Sequence, residues 1–231
     1  MKTPQLSIII PVLNEQVMLN DLLNHLRFAS TKIDAVEIIV VDGGSTDNTI
    51  GIAQKHAVKV VRSKKGRAVQ MNIGAKNATA NTLYFLHADT FPPKNFDQYI
   101  KNAINKTHGA GCFRMRFDTK NPVLRFFAWC SRINHTLCRG GDQSLFVTKK
   151  LFQACGSFNE AYHIYEDSEF IRRLYKNTNF IVLPKYVVTS ARKYRQKGWL
   201  RVQFHFAIIH LKSYLGAGPN ELYKYYSKKL L

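Results

Sequence analysis

The sequence predicts an α/β fold: a mainly parallel central sheet flanked by helices, with a helical appendage at its C-terminal end. Three observations predict it. Apolar, β-branched runs such as "LSIIIPVL" and "VEIIVVDGG" show no apolar/polar alternation, the pattern of strands buried on both faces. Helical patterns of about a dozen residues separate these runs, the length that a crossover between parallel strands needs. The joining segments are short, so successive units read as βαβ.

The elements follow in order. After "LSIIIPVL", the segment "MLNDLLNHLRFA" places Leu19, Leu22, Leu23 and Leu26 at helical spacing. "VEIIVVDGG" is the second strand, and "STDNTIGIAQKH" opens with capping residues before a helix. "VKVVRS" is a third strand, "GRAVQMNIGAKNA" a third helix, and "TLYFLHAD" a fourth strand ending on His87 and Asp89. In an extended segment residues two apart share a face, so both side chains are expected on one side. "PKNFDQYIKNAIN" has proline near the start of its helix.

The second half is less regular. "GAGCFRMRF" reads as an alternating strand and "PVLRFFAWCSRIN" as a helix; "CRGGDQSLFVTKKLFQACGSF" sets glycines around a strand. "YEDSEFIRRLYKN" is a helix with carboxylates in its first turn, where the helix dipole favours them. "FIVLPKYVVTSARKYRQKG" reads as two strands broken at Pro184 and then a basic loop. "WLRVQFHFAIIHLKSYL" is an aromatic, basic helix. It either packs on the domain through Trp199, Phe206, Ile209 and Leu215, or lies on an anionic membrane surface. With no repeats or flexible linkers, residues 1–197 form one expected domain, split into halves 1–110 and 111–197, and residues 198–231 a basic amphipathic segment.

The 231 residues carry 34 Lys/Arg against 15 Asp/Glu, a net charge of +19. Residues 1–110 hold 13 basic and 8 acidic side chains, and residues 111–231 hold 21 and 7. Such an excess implies an anionic partner: nucleic acid, an acidic membrane or a phosphorylated ligand. The four cysteines show no CxxC pair and read as reduced, buried thiols. The apolar run near the N-terminus is too short for a signal-peptide core, and no run approaches the ~20 apolar residues of a membrane span. The expected location is cytoplasmic, peripheral on the membrane face at most.

In parallel sheets ligands bind outside the carboxyl ends of the strands. Those ends carry Asn14 and Glu15, Asp42, Arg62, and His87 with Asp89. The first strand-to-helix turn, "PVLNEQ", has no glycine, which removes the GxGxxG dinucleotide loop, and no Walker A loop occurs.

"SIIIPVLNE", "EIIVVDGGSTDNT", "KKGRAVQMNIGAKNA" and "FLHADT", in this order, resemble the nucleotide-sugar half of family 2 glycosyltransferases with the GT-A fold. "GGDQSLFVTKKLFQACGSF", "YEDSEFIRRL" and "VVTSARKYRQKG" continue the resemblance, which spans roughly residues 6–225. Together they resemble a small bacterial branch with a HAD metal motif and an "SARRW"-like segment.

The resemblance implies an inverting transferase moving a sugar from a nucleotide-diphosphate sugar, UDP-linked in the first instance, to a hydroxyl acceptor on a lipid or envelope glycan. It implies that Pro11, Asn14 and Glu15 hold the base and ribose, where Asn14 and Glu15 would otherwise merely cap a helix. Asp42, with Gly44, would meet the nucleoside; a plain Asp-Gly turn is the alternative. Lys65 and Arg67 around a strand-to-helix turn offer charge and free N–H groups to the diphosphate, or form a solvated loop. Asp89 would bind Mn²⁺ or Mg²⁺ beside Ala88, and His87, standing where the family usually has aspartate, would ligate the metal or meet donor. The aspartate of the acidic pair, Asp167, would be the base, with Glu166 its neighbour. Gly141, Asp142 and Gln143 would shape the pocket, and Arg192 and Arg195 would meet the departing diphosphate. Lys193 and Tyr194 depart from the Arg-Trp of the pattern. The rival readings are a sugar nucleotidyltransferase, a nucleic-acid-binding protein, expected not to apply because the charge clusters at diphosphate motifs, and a degenerate transferase that only binds nucleotide.

Overall fold

The computed structural model describes residues 3–105 and 108–230. The first half alternates as predicted: β1 (Leu6–Val12), α1 (Gln16–Ala29), β2 (Val36–Asp42), α2 (Thr49–Lys55), β3 (Lys59–Arg62), α3 (Arg67–Asn77), β4 (Thr82–Phe85), a short β5 (Thr90–Phe91) and α4 (Phe96–Asn105). The second half continues with β6 (Ala110–Phe117), α5 (Pro122–Cys130), β7 (Leu145–Thr148), α6 (Lys149–Ala154), α7 (Glu166–Asn177), β8 (Ile181–Thr189), α8 (Arg192–Lys197), α9 (Trp199–Tyr214) and α10 (Pro219–Leu230).

The sheet has the order β3-β2-β1-β4-β7-β6-β8-β5. β1 lies between β2 and β4, parallel to both, with Ile8 opposite Ile38 and Tyr84. β7 runs antiparallel to β4 and β6, and β6 parallel to β8. Burial on both faces explains the unalternating strands. Ile8 and Ile10 join Leu19, Leu22, Leu23 and Leu26 of α1 in one core, while Ile9 joins Met71 of α3 and Phe170 and Leu174 of α7 in the other. A third cluster ties the C-terminal helices to the domain: Val202, Ile209, Leu222 and Leu230 pack on Phe117, Leu124, Ala128 and Tyr194.

Four expectations are corrected. β4 ends at Phe85, so His87 and Asp89 stand in a turn closed by Thr90 N–H donating to His87 O at 3.1 Å, not in an extended strand. The turn sends the chain back into β5, which pairs with β8. Pro184 does not split a strand pair: β8 is one strand with a bulge, since Leu183 faces Phe113 and Tyr186 faces the next residue, Arg114. A bulge tolerates proline, which has no N–H for the ladder. The basic loop after β8 is the short helix α8. Finally, Trp199 and Leu215 are exposed, and Val202 and Ile209 are the buried residues of α9.

Asp97 locks the end of α1 onto α4. Its carboxylate accepts the Ser30 hydroxyl at 2.7 Å and the N–H groups of Thr31 at 2.8 Å and Lys32 at 3.0 Å. Burial works against the charge, but these donors hold its pKa below the usual carboxylate value. Asp97→Ala is expected to cost roughly 1–3 kcal/mol of stability at neutral pH, read by urea melts. A depressed folded pKa makes this stabilisation present above the unfolded value and lost as pH falls through the folded one. Wild type and variant should therefore converge in acid.

Candidate active site

A cleft of about 680 Å³ opens at the carboxyl ends of β1 and β4. Pro11, Val12 and Glu15 form one side, and Lys65, Arg67 and Gln70, at the start of α3, the next. His87, Ala88 and Asp89 enter from the turn after β4, Asp142 from the loop before β7, and Arg192, Lys193 and Tyr194 from α8. The remaining wall is aromatic: His163, Phe206 of α9, and Tyr223 and Tyr226 of α10.

Glu15 stands at the N-cap of α1 without a side-chain cap bond. It instead accepts Arg192 Nη2 at 3.0 and 3.1 Å, joining the first loop to α8. Asn14, at φ 55°, accepts the Thr46 N–H at 2.8 Å, and its own N–H donates to Ser45 Oγ at 2.9 Å. It stitches the first loop to the second and is not on the cleft wall. Asp42 is buried and accepts the N–H groups of Gly44 at 3.0 Å and Ser45 at 3.1 Å. Gly44 supplies the φ of +99° that this turn requires. Both Asp42 oxygens thus serve the turn, and neither residue lines the cleft.

The acidic centre forms around His87. Its Nδ1 lies 3.8 Å from Asp142 Oδ1 and its Nε2 lies 3.7 Å from Asp167 Oδ2. Burial opposes a charged ring, but the two carboxylates outweigh it and raise the His87 pKa to about 10. Burial also works against Asp142, yet His87, then Arg67 and Lys193, hold its carboxyl below the usual range. Asp167 and Glu166 open α7, where free N–H groups favour carboxylates. Glu166 is 1% exposed, and neither of its oxygens has a hydrogen-bond partner among the described residues. Arg67 Nη1 is 4.0 Å away. Burial, then Asp167, raises Glu166 to about 7, against the pull of Arg67.

A raised carboxyl pKa destabilises the folded state as pH climbs through it. Glu166→Gln is therefore expected to increase the unfolding free energy at pH 8 by on the order of 1–3 kcal/mol, read by urea melts, and to change it little at pH 5.

Gly141 keeps this centre open. A Cβ there would lie 2.1 Å from Asp167 Oδ2 and 2.7 Å from His87 Cε1. Gly141→Ala must displace the carboxylate or the ring, so only glycine fits between Asp167 and His87 without rearranging them.

Two more predicted residues, like Asn14, Asp42 and Gly44, lie off the cleft wall; Gly141, Glu166 and Asp167 are not on it either, Asp167 meeting it through the lining residue His87. Arg195 makes a two-pronged contact with Asp118 at 3.0 and 3.1 Å, fixing α8 to the end of β6. Gln143 is buried in a network with Arg139, which also donates to Ser131 O at 2.8 Å and to Cys112 Sγ at 3.2 Å. Arg139, absent from the sequence reading, holds the loop that delivers Asp142. Gln70 was missed as well: its Nε2 donates to Val12 O at 2.9 Å and Val41 O at 2.8 Å, tying the ends of β1 and β2. The aromatic wall gave no local signal, because α9 and α10 reach the cleft only through tertiary packing. Lys193 also belongs to it, donating to Tyr226 Oη at 2.7 Å and lying 4.9 Å above the Phe206 ring.

A divalent metal fits this cleft only as a partner of a bound diphosphate. Among the described residues no three His, Cys, Asp or Glu side chains gather as a metal centre. Asp89 offers a half-buried carboxylate on the wall that takes no hydrogen bond from the described residues. Burial, then Asp142, raises its pKa against the pull of His87, Arg192 and Arg67. Mg²⁺ is commonly held by one or two carboxylates together with substrate phosphates and water, and Asp89 suits that arrangement.

The sequence profile of Glycosyl transferase family 2 matches residues 7–159. The chain belongs to that family. A relative, an uncharacterized glycosyltransferase of Haemophilus influenzae, is 28% identical over 160 residues, covering 64% of this chain and 62% of its own. A PGL/p-HBAD biosynthesis glycosyltransferase of Mycobacterium bovis is 26% identical over 217 residues, covering 83% of this chain and 77% of its own. The fold matches Staphylococcus aureus TarS 1–349 in complex with UDP, with TM-score 0.68, 21% identity, and coverage of 80% of this chain and 60% of that one. It also matches the mannosyltransferase PcManGT of Pyrobaculum calidifontis in complex with GDP-Man and Mn²⁺, with TM-score 0.70, 19% identity, and coverage of 98% and 70%. The family 2 chain thus has the GT-A fold and spans under two thirds of the Haemophilus relative and of TarS.

Proposed function

We propose that the protein is an inverting glycosyltransferase that moves a sugar from a nucleotide-diphosphate sugar to a hydroxyl acceptor. The observation that carries this reading is the set of cations Lys65, Arg67, Arg192 and Lys193 on the wall of one cleft whose lining residue His87 stands 3.7 Å from Asp167, beside the gap at Gly141. In it, residues 1–110 hold the nucleotide, residues 111–197 carry the base, and residues 198–231 complete the wall. Pro11, Glu15 and the adjoining Asn14 and Asp42 loops frame the nucleoside. Lys65, Arg67 and Arg192 face the diphosphate.

In the transfer the acceptor oxygen attacks the anomeric carbon from the side opposite the diphosphate. The new C–O bond forms as the carbon–phosphate oxygen bond breaks, and Asp167 takes the hydroxyl proton. His87 holds the Asp167 carboxylate in place from Nε2 and Asp142 from Nδ1. Negative charge developing on the departing nucleoside diphosphate meets the cations already fixed in the cleft. A bound Mn²⁺ or Mg²⁺, held by Asp89 with His87 beside it, would add positive charge to that leaving group. The nucleotides in the TarS and PcManGT structures, UDP and GDP-Man, support a nucleoside-diphosphate donor, and UDP is the first to test. The acceptor hydroxyl belongs to a lipid or a glycan at the cytoplasmic face of the envelope.

NMR of the sugar first released from the donor, to acceptor or to water, tests the stereochemistry. Inversion relative to the donor is expected, and a product with the donor's configuration rejects the single-displacement role of Asp167.

A further inference from the structure

Helix α9 is apolar on two opposite sides. Val202 and Ile209 are buried in the domain. The other side carries Leu200, Phe204, Leu211 and Leu215, between 57 and 74% exposed. At 100° per residue these four fall within one narrow stripe, so the exposure is a continuous face and not scattered residues. Helix α5 packs against α9 through the cluster containing Leu124 and Ala128, and its outer side shows Phe126 and Trp129 stacked with ring centroids 6.4 Å apart. These two rings are 60 and 52% exposed. Large apolar side chains exposed together on two adjacent helices, rather than singly, mark an interaction surface.

We infer that the α5–α9 face is a docking surface for an anionic lipid bilayer. Its charge selects this occupant. Arg125, Arg132 and Arg201 are exposed beside the apolar residues, while residues 119–141 and 198–220 contain no Asp or Glu. A twofold pair of this face would set arginines against arginines with no carboxylate on either helix to receive them. Phospholipid headgroups supply that negative charge, and exposed Phe, Trp and Leu beneath a cationic rim suit the headgroup–acyl boundary. No described helix is long and apolar enough to cross the membrane, so the face lies on the bilayer. Phe206, on the inner side of α9, lines the cleft. A bilayer under α9 therefore lies about one helix diameter, ~10 Å, from the cleft, which places membrane-borne hydroxyls near it. That last consequence rests on the transferase reading; the docking itself does not.

Both tryptophans of the chain, Trp129 and Trp199, are exposed on these helices and report the contact without mutation. With vesicles of phosphatidylcholine plus phosphatidylglycerol, the full chain is expected to co-sediment, and its tryptophan emission to shift to the blue. Pure phosphatidylcholine or high salt should weaken both effects. The variant Phe126→Ser/Trp129→Ser/Phe204→Ser/Leu211→Ser should bind the anionic vesicles at least about tenfold more weakly with its melting temperature kept. Arg125→Glu/Arg201→Glu, which leaves the apolar residues intact, should lose binding as well. Failure of the wild-type chain to bind anionic vesicles overturns the inference, as does equal binding by either variant. A concentration-dependent dimer abolished by the serine substitutions, with no vesicle binding, would assign the face to a second copy instead.

Discussion

Replacing Asp167 by asparagine is expected to slow sugar transfer by about 10²–10⁴-fold while donor affinity changes by no more than about twofold. Asparagine keeps the volume and can still contact His87, but it cannot take the acceptor's proton. The position makes the prediction specific. Asp167 Oδ2 lies 3.7 Å from His87 Nε2, against the space left open at Gly141. Removing its charge should also lower the Glu166 pKa, which Asp167 helps to raise. An independent readout follows: the pH-dependent stability step assigned to Glu166 should move to lower pH in the variant. Retained turnover would shift the base to another carboxylate, first of all Asp142, which lies on the cleft wall and 3.8 Å from His87.

Asp89→Ala is expected to weaken nucleotide-sugar binding in the presence of Mn²⁺ by at least about tenfold, about 1.4 kcal/mol, and to leave the metal-free affinity nearly unchanged. Asp89 has no hydrogen bond from the described residues that its loss would break. Burial, followed by Asp142, already raises its pKa. Without metal, removing it should therefore cost the fold little and could even relieve it. Titration calorimetry with and without Mn²⁺ separates the two terms. An equal loss in both would make Asp89 a direct donor contact and leave the metal unsupported.

The elements of the first half were legible because each is specified locally. Leu19, Leu22, Leu23 and Leu26 show the buried face of α1, and both faces of β1 are apolar because Ile8 and Ile9 enter different cores. The site was legible where residues stand at strand ends, as Glu15, His87 and Asp89 do. It was less so where one residue type serves two purposes. Asp42 followed by two glycines suits a ligand or a turn equally well, and in the structure both of its oxygens serve the turn. Arg195 carries the same charge as Arg192 three positions earlier, yet Asp118, 77 residues away, draws it from the cleft. The aromatic wall depends on contacts between β6, α5 and the C-terminal helices, which no local pattern encodes. Pro184 reads as a break, because a two-residue bulge is visible only against the partner strand.

If the cleft is a donor site, it holds a nucleoside-diphosphate sugar. A thermal-shift series with UDP-, GDP-, CDP- and dTDP-sugars, each with and without Mn²⁺, tests it most directly. One nucleotide class is expected to raise the melting temperature of the wild-type chain, more strongly with Mn²⁺, and Asp89→Ala should lose the metal-dependent part. No shift with any of the four donors, with or without metal, would contradict the account.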